Sequence, residues 1–135
     1  MRKTLLALSL SLAAALPASA AQPLSIGTTV QGQLVASDRP SDRGGRSHDY
    51  NLRLAEGQLV AISAKSTDFD PVVIVFKPDG DLLGENDDRE DGSTNALLVV
   101  AAPETGVYTV RVNSLPMGAG HLGAYSLRAS VISDD

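Results

Sequence analysis

Wherever apolar and polar side chains alternate regularly along this chain, the period is two. Tyr50, Leu52 and Leu54 alternate with Asn51 and Arg53, and Tyr108, Val110 and Val112 alternate with Thr109, Arg111 and Asn113. Val60, Ile62 and Ala64 follow the same rule, as do Tyr125, Leu127, Ala129 and Val131. Successive side chains on a strand point to opposite faces, so each run predicts a strand with one buried face and one wet face. All three tyrosines fall in phase with aliphatics and are expected in the core, with the Tyr108 hydroxyl bonded to a nearby backbone group. The runs Val72 to Phe76 and Leu97 to Val100 are apolar throughout, which predicts strands covered on both faces or lying centrally. No stretch carries a helical stripe.

Turn chemistry separates these runs at short intervals: Glu56-Gly57, Pro78-Asp79-Gly80, Asp91-Gly92, Pro103 to Gly106, and Met117 to Gly120. About eight strands follow, near residues 28–35, 48–54, 58–66, 71–77, 81–85, 96–101, 106–113 and 123–132. Short strands at regular spacing predict an all-β domain, a sandwich or a barrel. The polar stretch Ser37 to Ser47, with Pro40, Gly44 and Gly45, reads as a surface loop.

The first twenty residues do not join this pattern. Arg2 and Lys3 precede an apolar stretch from Leu5 to Leu16, followed by Pro17 and Ala18-Ser19-Ala20. That order predicts a signal peptide, residues 1–20, cleaved after Ala20, and a mature domain of residues 21–135. The apolar stretch is shorter than the roughly 20 residues that span a bilayer, so the mature chain is expected not to insert in a membrane and to be exported to the periplasm or beyond. Cleavage removes two of the eleven basic residues and none of the sixteen acidic ones, leaving nine against sixteen, a net charge of −7. Nucleic-acid binding draws most of its affinity from phosphate neutralisation, so this balance argues against a nucleic-acid partner. The chain has no cysteine and no tryptophan and is only 4% aromatic, which excludes a disulfide scaffold and disfavours ligand stacking.

Seven of the sixteen acidic residues lie between Asp79 and Asp91, and Asp68 and Asp70 sit just upstream. If Asp79-Gly80 forms a two-residue hairpin turn, Lys77 faces Leu82 and Val72 faces Asp87, so Asp68 and Asp70 emerge at the same end as Asp87 and Asp88. Carboxylates brought together this way repel one another unless a cation is present, and hard oxygen donors in loops suit Ca²⁺. The alternative is that these Asp and Asn side chains cap turns, with Arg89, Arg46 or Arg43 balancing the charge. An EF-hand is excluded: counted from Asp87, the third ligand position holds Arg89 and the twelfth holds Leu98.

Catalytic constellations are thin. His48-Asp49 with a serine meets the composition of a hydrolase triad, but adjacent strand residues face opposite ways, so Asp49 cannot orient His48, which reads as a surface histidine at the start of a strand. No Gly-x-Ser-x-Gly elbow occurs, and His121 reads as a loop residue. Two histidines 73 residues apart without cysteine match no zinc spacing. Asp70 and Asp87 as a glycosidase pair would need an apolar-walled cleft that a small tryptophan-free sandwich has little material to build. Gly44-Gly45-Arg46 lacks the strand and helix of a phosphate loop. No catalytic residue is assigned.

Several segments in order carry a resemblance: Asp68-Phe69-Asp70-Pro71, Pro78-Asp79-Gly80, Leu82-Leu83, and Glu85-Asn86-Asp87-Asp88. Thr94-Asn95-Ala96, Ala102-Pro103-Glu104-Thr105-Gly106-Val107-Tyr108-Thr109-Val110 and Gly123-Ala124-Tyr125-Ser126-Leu127 continue it. Over residues 24–132 the chain resembles the bacterial pre-peptidase C-terminal domain family, itself distantly similar to collagenase collagen-binding domains. The resemblance implies a secreted, non-catalytic β-sandwich of jelly-roll type, usually appended to an extracellular hydrolase, and marks Asp68, Asp70, Asp87 and Asp88 as candidate calcium ligands. Two departures stand out. Only a signal peptide precedes the domain, so a role toward an attached enzyme is not expected in cis, and Asp49 sits one position late in a segment, His48 to Leu52, that is similar to the family's Asp-x-Tyr-x-Phe strand. The expected function is an exported binding module for an extracytoplasmic protein or polymer, with no certain cofactor beyond the Ca²⁺ candidate. The alternative is an accessory or inhibitor partner acting in trans on a separate exported hydrolase.

Overall fold

The alternating runs become strands that hide one side between two sheets. A computed structural model describes residues 21–41, 44–87, 93–116 and 121–133. Its strands are β1 (Gln22–Leu24), β2 (Thr29–Leu34), β3 (Arg39–Pro40), β4 (Arg46–Leu54), β5 (Leu59–Lys65), β6 (Asp70–Phe76), β7 (Leu82–Asn86), β8 (Ala96–Ala101), β9 (Gly106–Leu115) and β10 (Gly123–Val131). All eight expected strands are present. β1 and β3 are additional, and at three and two residues they are too short to show a period. β3 lies inside the expected Ser37–Ser47 loop, where Arg39 and Pro40 pair with Ser47 and Arg46 of β4.

One sheet has the order β1-β4-β9-β6-β7, with β3 beside β4, and the other has the order β2-β10-β5-β8. Counting only the eight long strands, the sheets run second-seventh-fourth-fifth and first-eighth-third-sixth, the interleaved order of a jelly roll. Every pairing of the long strands is antiparallel, whereas β1 joins β4 in parallel. The inward rows meet as Tyr50, Leu52, Leu54, Tyr108, Val110 and Val112 against Val60, Ile62, Ala64, Leu127 and Ala129, all buried. Among the described residues no helix is long and apolar enough to cross a membrane.

Both continuously apolar runs are strands, but only one is central. β6 lies between β9 and β7, and on its outer face Val72 and Ile74 are buried while Arg111 covers the Phe76 ring at 4.8 Å. β8 instead forms a sheet edge and leaves Val99 48% exposed, correcting the expectation for Leu97 to Val100. An uninterrupted apolar run has no period with which to report a wet face.

The β6–β7 hairpin also differs locally from its expected form. Gly80 N donates to Lys77 O and Lys77 N donates to Asp81 O, so three residues, Pro78-Asp79-Gly80, make the turn, with Gly80 at φ +91°. Phe76 therefore faces Leu82. A bulge then restores the expected register, with Val75, Ile74 and Val73 opposite Gly84, Glu85 and Asn86. Tyr108 behaves as expected: its buried hydroxyl donates to Glu104 O at 2.6 Å and accepts from Glu104 N at 3.2 Å, pinning the turn that leads into β9.

Candidate functional site

Antiparallel pairing brings the ends of β2, β5, β7 and β9 and the beginnings of β4, β6, β8 and β10 to one end of the sandwich. Leu34 faces Gly123, Ala64 faces Ala96, Asp70 faces Leu115, and Ser47 faces Asn113. Most of the chemistry noted in the sequence collects here.

Of the candidate calcium ligands, Asp70 opens β6 and is half-buried, and Asp87 follows β7 beside a recess of about 250 Å³ that it lines with Val72, Glu85 and Asn86. Asp70 and Val72 share the outer face of the larger sheet, and Asp87 lies one position beyond the last paired residue of β7, opposite Val72. These two carboxylates thus reach one face of one end. Asp68 is drawn to the other sheet: its Oδ2 accepts the Ala124 amide at 2.9 Å, and its own amide donates to Ser66 Oγ. Asp88 lies outside the described residues. Among the described residues no three His, Cys, Asp or Glu side chains gather closely enough to hold a metal ion.

Asp79 and Asn86 are engaged in local capping and in a bond across to β8. Asp79 Oδ1 accepts the Asp81 amide, Asn86 Oδ1 accepts the Asp87 amide, and Asn86 Nδ2 donates to Leu97 O at 2.7 Å.

His48 was expected at the surface, but its side chain is only 13% exposed. It belongs to the inward row of β4, two residues before Tyr50, and so points between the sheets. Its Nε2 lies 3.0 Å from Asp38 Oδ2, its Nδ1 lies 2.7 Å from the Tyr125 hydroxyl, and that hydroxyl is 2.5 Å from the Tyr50 hydroxyl. One arrangement of donors satisfies every member: His48 Nε2–H donates to Asp38, Tyr125 donates to Nδ1, and Tyr50 donates to Tyr125. Burial raises the pKa of Tyr125, and Tyr50 and the Asp38 charge raise it further. Burial also raises that of Tyr50, against the opposing effect of its bond to Tyr125. Both phenols therefore stay protonated and serve as structural donors. Asp38 in turn accepts Val35 N at 2.7 Å, and Arg46 Nε donates to Ala36 O, so the chain after β2 is fastened to β4.

Asp49 faces the opposite way, as the alternation requires. Arg111 grips it through two bonds of 2.8 and 3.1 Å and Arg39 adds a third at 2.8 Å. Burial alone would raise the Asp49 pKa, but the hydrogen bonds and charges of Arg111 and Arg39 together hold it below the ordinary value. No sequence spacing could have announced either network, because Asp38 is 10 residues and Tyr125 is 77 residues from His48.

The family model for the bacterial pre-peptidase C-terminal domain matches residues 46–114, from the start of β4 nearly to the end of β9. Among solved structures, the pre-peptidase C-terminal domain of a Bacillus anthracis collagenase is similar at 16% identity and a TM-score of 0.63, covering 83% of this chain and 96% of that one. The Aeromonas hydrophila protein PliG, a periplasmic inhibitor of g-type lysozyme, is similar at 19% identity and a TM-score of 0.56, covering 84% of this chain and all of the other. CorA of Methylomicrobium album, a surface-associated copper-binding protein, is similar at 13% identity and a TM-score of 0.64, covering 85% of this chain and all of CorA. At these identities the likeness is one of fold. Comparison with curated proteins found no match.

Proposed function

Because the chain belongs to the bacterial pre-peptidase C-terminal domain family, we propose that it is an exported, non-catalytic module that binds an extracytoplasmic protein or polymer. The observation that carries this reading is the commitment of His48. Both its ring nitrogens are bonded, to Asp38 and Tyr125, within the sandwich, so the residue best suited to general-base work is spent on holding the fold together. The proposal includes cleavage after Ala20, two residues before β1 begins.

Calcium belongs to the same proposal, with Asp68, Asp70, Asp87 and Asp88 as its ligands. The hard oxygen donors of this set and the arrival of Asp70 and Asp87 on one face support it. The capping bonds of Asn86 and Asp79 support the competing view that the acidic residues serve the turns.

A second reading is inhibition in trans of a separate exported hydrolase. It is favoured by the match over the full length of PliG, a structure whose whole extent is this one fold. Binding and turnover measured together test both. The protein is presented to immobilised collagen and insoluble polysaccharide, assayed against g-type lysozyme and secreted proteases, and incubated with a broad peptide and ester panel. Retention on one polymer supports the binding module, and saturable inhibition of one hydrolase supports the second reading. Turnover of the panel that disappears in His48→Ala would overturn both.

A further inference from the structure

On the outer face of the smaller sheet, at the same end of the sandwich, lies an open hollow of about 390 Å³. Its floor is a cross-strand row: Ser126 of β10 pairs with Gln31 of β2 on one side and with Lys65 of β5 on the other. Thr67 and Asn95 close the end. The wall is fixed from behind, because Asn95 Oδ1 accepts the Ser66 amide and Ser66 Oγ donates to Ala124 O at 2.8 Å while accepting from the Asp68 and Phe69 amides.

Three properties define what this hollow can hold. First, among the described residues no carboxylate lines it, although the chain is strongly acidic and Asp68 is bonded just behind its wall; the charge these residues present is the Lys65 ammonium. Second, Lys65, Gln31 and Thr67 are exposed and Ser126 is half-buried, so an ammonium, an amide and two hydroxyls are presented to the hollow. Third, the one aromatic residue at the hollow, Tyr125, is 2% exposed and turns its ring into the core, so a ligand finds no stacking platform here. A neutral sugar without an aromatic face to lie on would be held weakly, whereas a carboxylate gains a charge-assisted bond to an ammonium. One cation suits a single negative charge, and the surrounding amides and hydroxyls suit a ligand that also carries hydroxyl groups.

We propose that this hollow is a binding site for a hydroxylated carboxylic acid of the sugar-acid class, with Lys65 taking the carboxylate and Gln31, Thr67, Asn95 and Ser126 taking its hydroxyls. The site lies on the smaller sheet, apart from Asp70 and Asp87 on the larger one, and shares only Asp68 of the described calcium candidates, behind its wall.

The test follows backbone amide NMR signals while the protein is titrated with glucuronate, with glucose, and with an acetylated dipeptide bearing a free carboxylate. Glucuronate is expected to shift the amides around Lys65, Thr67, Asn95 and Ser126 saturably, while glucose leaves them in place. Lys65→Gln, an exposed substitution, is expected to weaken glucuronate roughly tenfold, the scale of losing one charge-assisted bond, and Lys65→Arg to retain most of the binding. Ser126→Ala, which keeps the charge, is expected to weaken glucuronate without affecting the dipeptide. The proposal is overturned by the absence of a saturable shift, by equal shifts with glucose, by unchanged affinity in Lys65→Gln, or by a dipeptide that binds as tightly as glucuronate.

Discussion

The Tyr50 hydroxyl, carried by the larger sheet, meets the Tyr125 hydroxyl, carried by the smaller one, at 2.5 Å in the middle of the sandwich. With His48 it forms a polar rivet between two largely apolar faces. Tyr125 is its centre, because that hydroxyl also serves His48. Tyr125→Phe strips a donor from His48 Nδ1 and an acceptor from Tyr50, and unmet buried groups cost about 1–3 kcal/mol each. Tyr50→Phe removes a donor only and should cost about 1 kcal/mol. Urea unfolding of the two variants checks the proton order: equal losses would show that it runs otherwise.

Gly32 is the cross-strand partner of Tyr125 and lies under its ring, so an added Cβ would collide with the ring's Cζ and hydroxyl. Gly32→Ala should therefore destabilise by about 1–3 kcal/mol, the range for overpacking a tight core. In a Tyr125→Ala background the same change should cost far less. A double-mutant cycle reads the difference, and additive losses would remove the ring contact as the cause.

The Asp49 pKa is held below its ordinary 3.8 in the folded protein, so the unfolded chain binds the proton more readily. The stability this contributes is complete above 3.8 and is lost as the pH falls through the lower folded value. Wild-type protein should accordingly lose stability on the acid side of 3.8 more steeply than Asp49→Asn, whose curve lacks this contribution. Chemical unfolding repeated down the acid limb measures it. Parallel curves would assign acid sensitivity to other carboxylates.

Calcium is expected to raise the melting temperature where magnesium does not. A ligand at 100 times its Kd adds about 2.7 kcal/mol to a folded state that alone binds it. At this size that is a shift of roughly 10 °C. Asp70→Asn with Asp87→Asn should abolish the shift. If EDTA and calcium give the same melt, the acidic residues are turn caps.

How much of this was legible depended on the range of each signal. A half-buried strand writes its own period, so β4, β5, β9 and β10 could be read from alternation alone, together with the inward direction of Tyr50, Tyr108 and Tyr125. The hairpin register was recoverable to within one residue because turn residues announce themselves locally, although Gly80 takes a three-residue turn and a bulge absorbs the difference. Edge or centre is not a local property, which is why the apolar run of β8 resembled that of β6. The Asp38–His48–Tyr125–Tyr50 chain and the grip of Arg39 and Arg111 on Asp49 join segments from distant parts of the sequence, and no single window contains their partners.

The strand order also sets when this protein can fold. β2, near the front of the chain, pairs with β10 at its back, and β4 waits for β9. Each sheet lacks an inner strand, β9 in the larger and β10 in the smaller, until almost the whole polypeptide is available, and such non-local pairing is slow. A chain threaded through a membrane pore with its front end first therefore has nothing stable to fold into until its last strand arrives. For the export proposed above, this topology would keep the polypeptide slack during passage and lock it only afterwards.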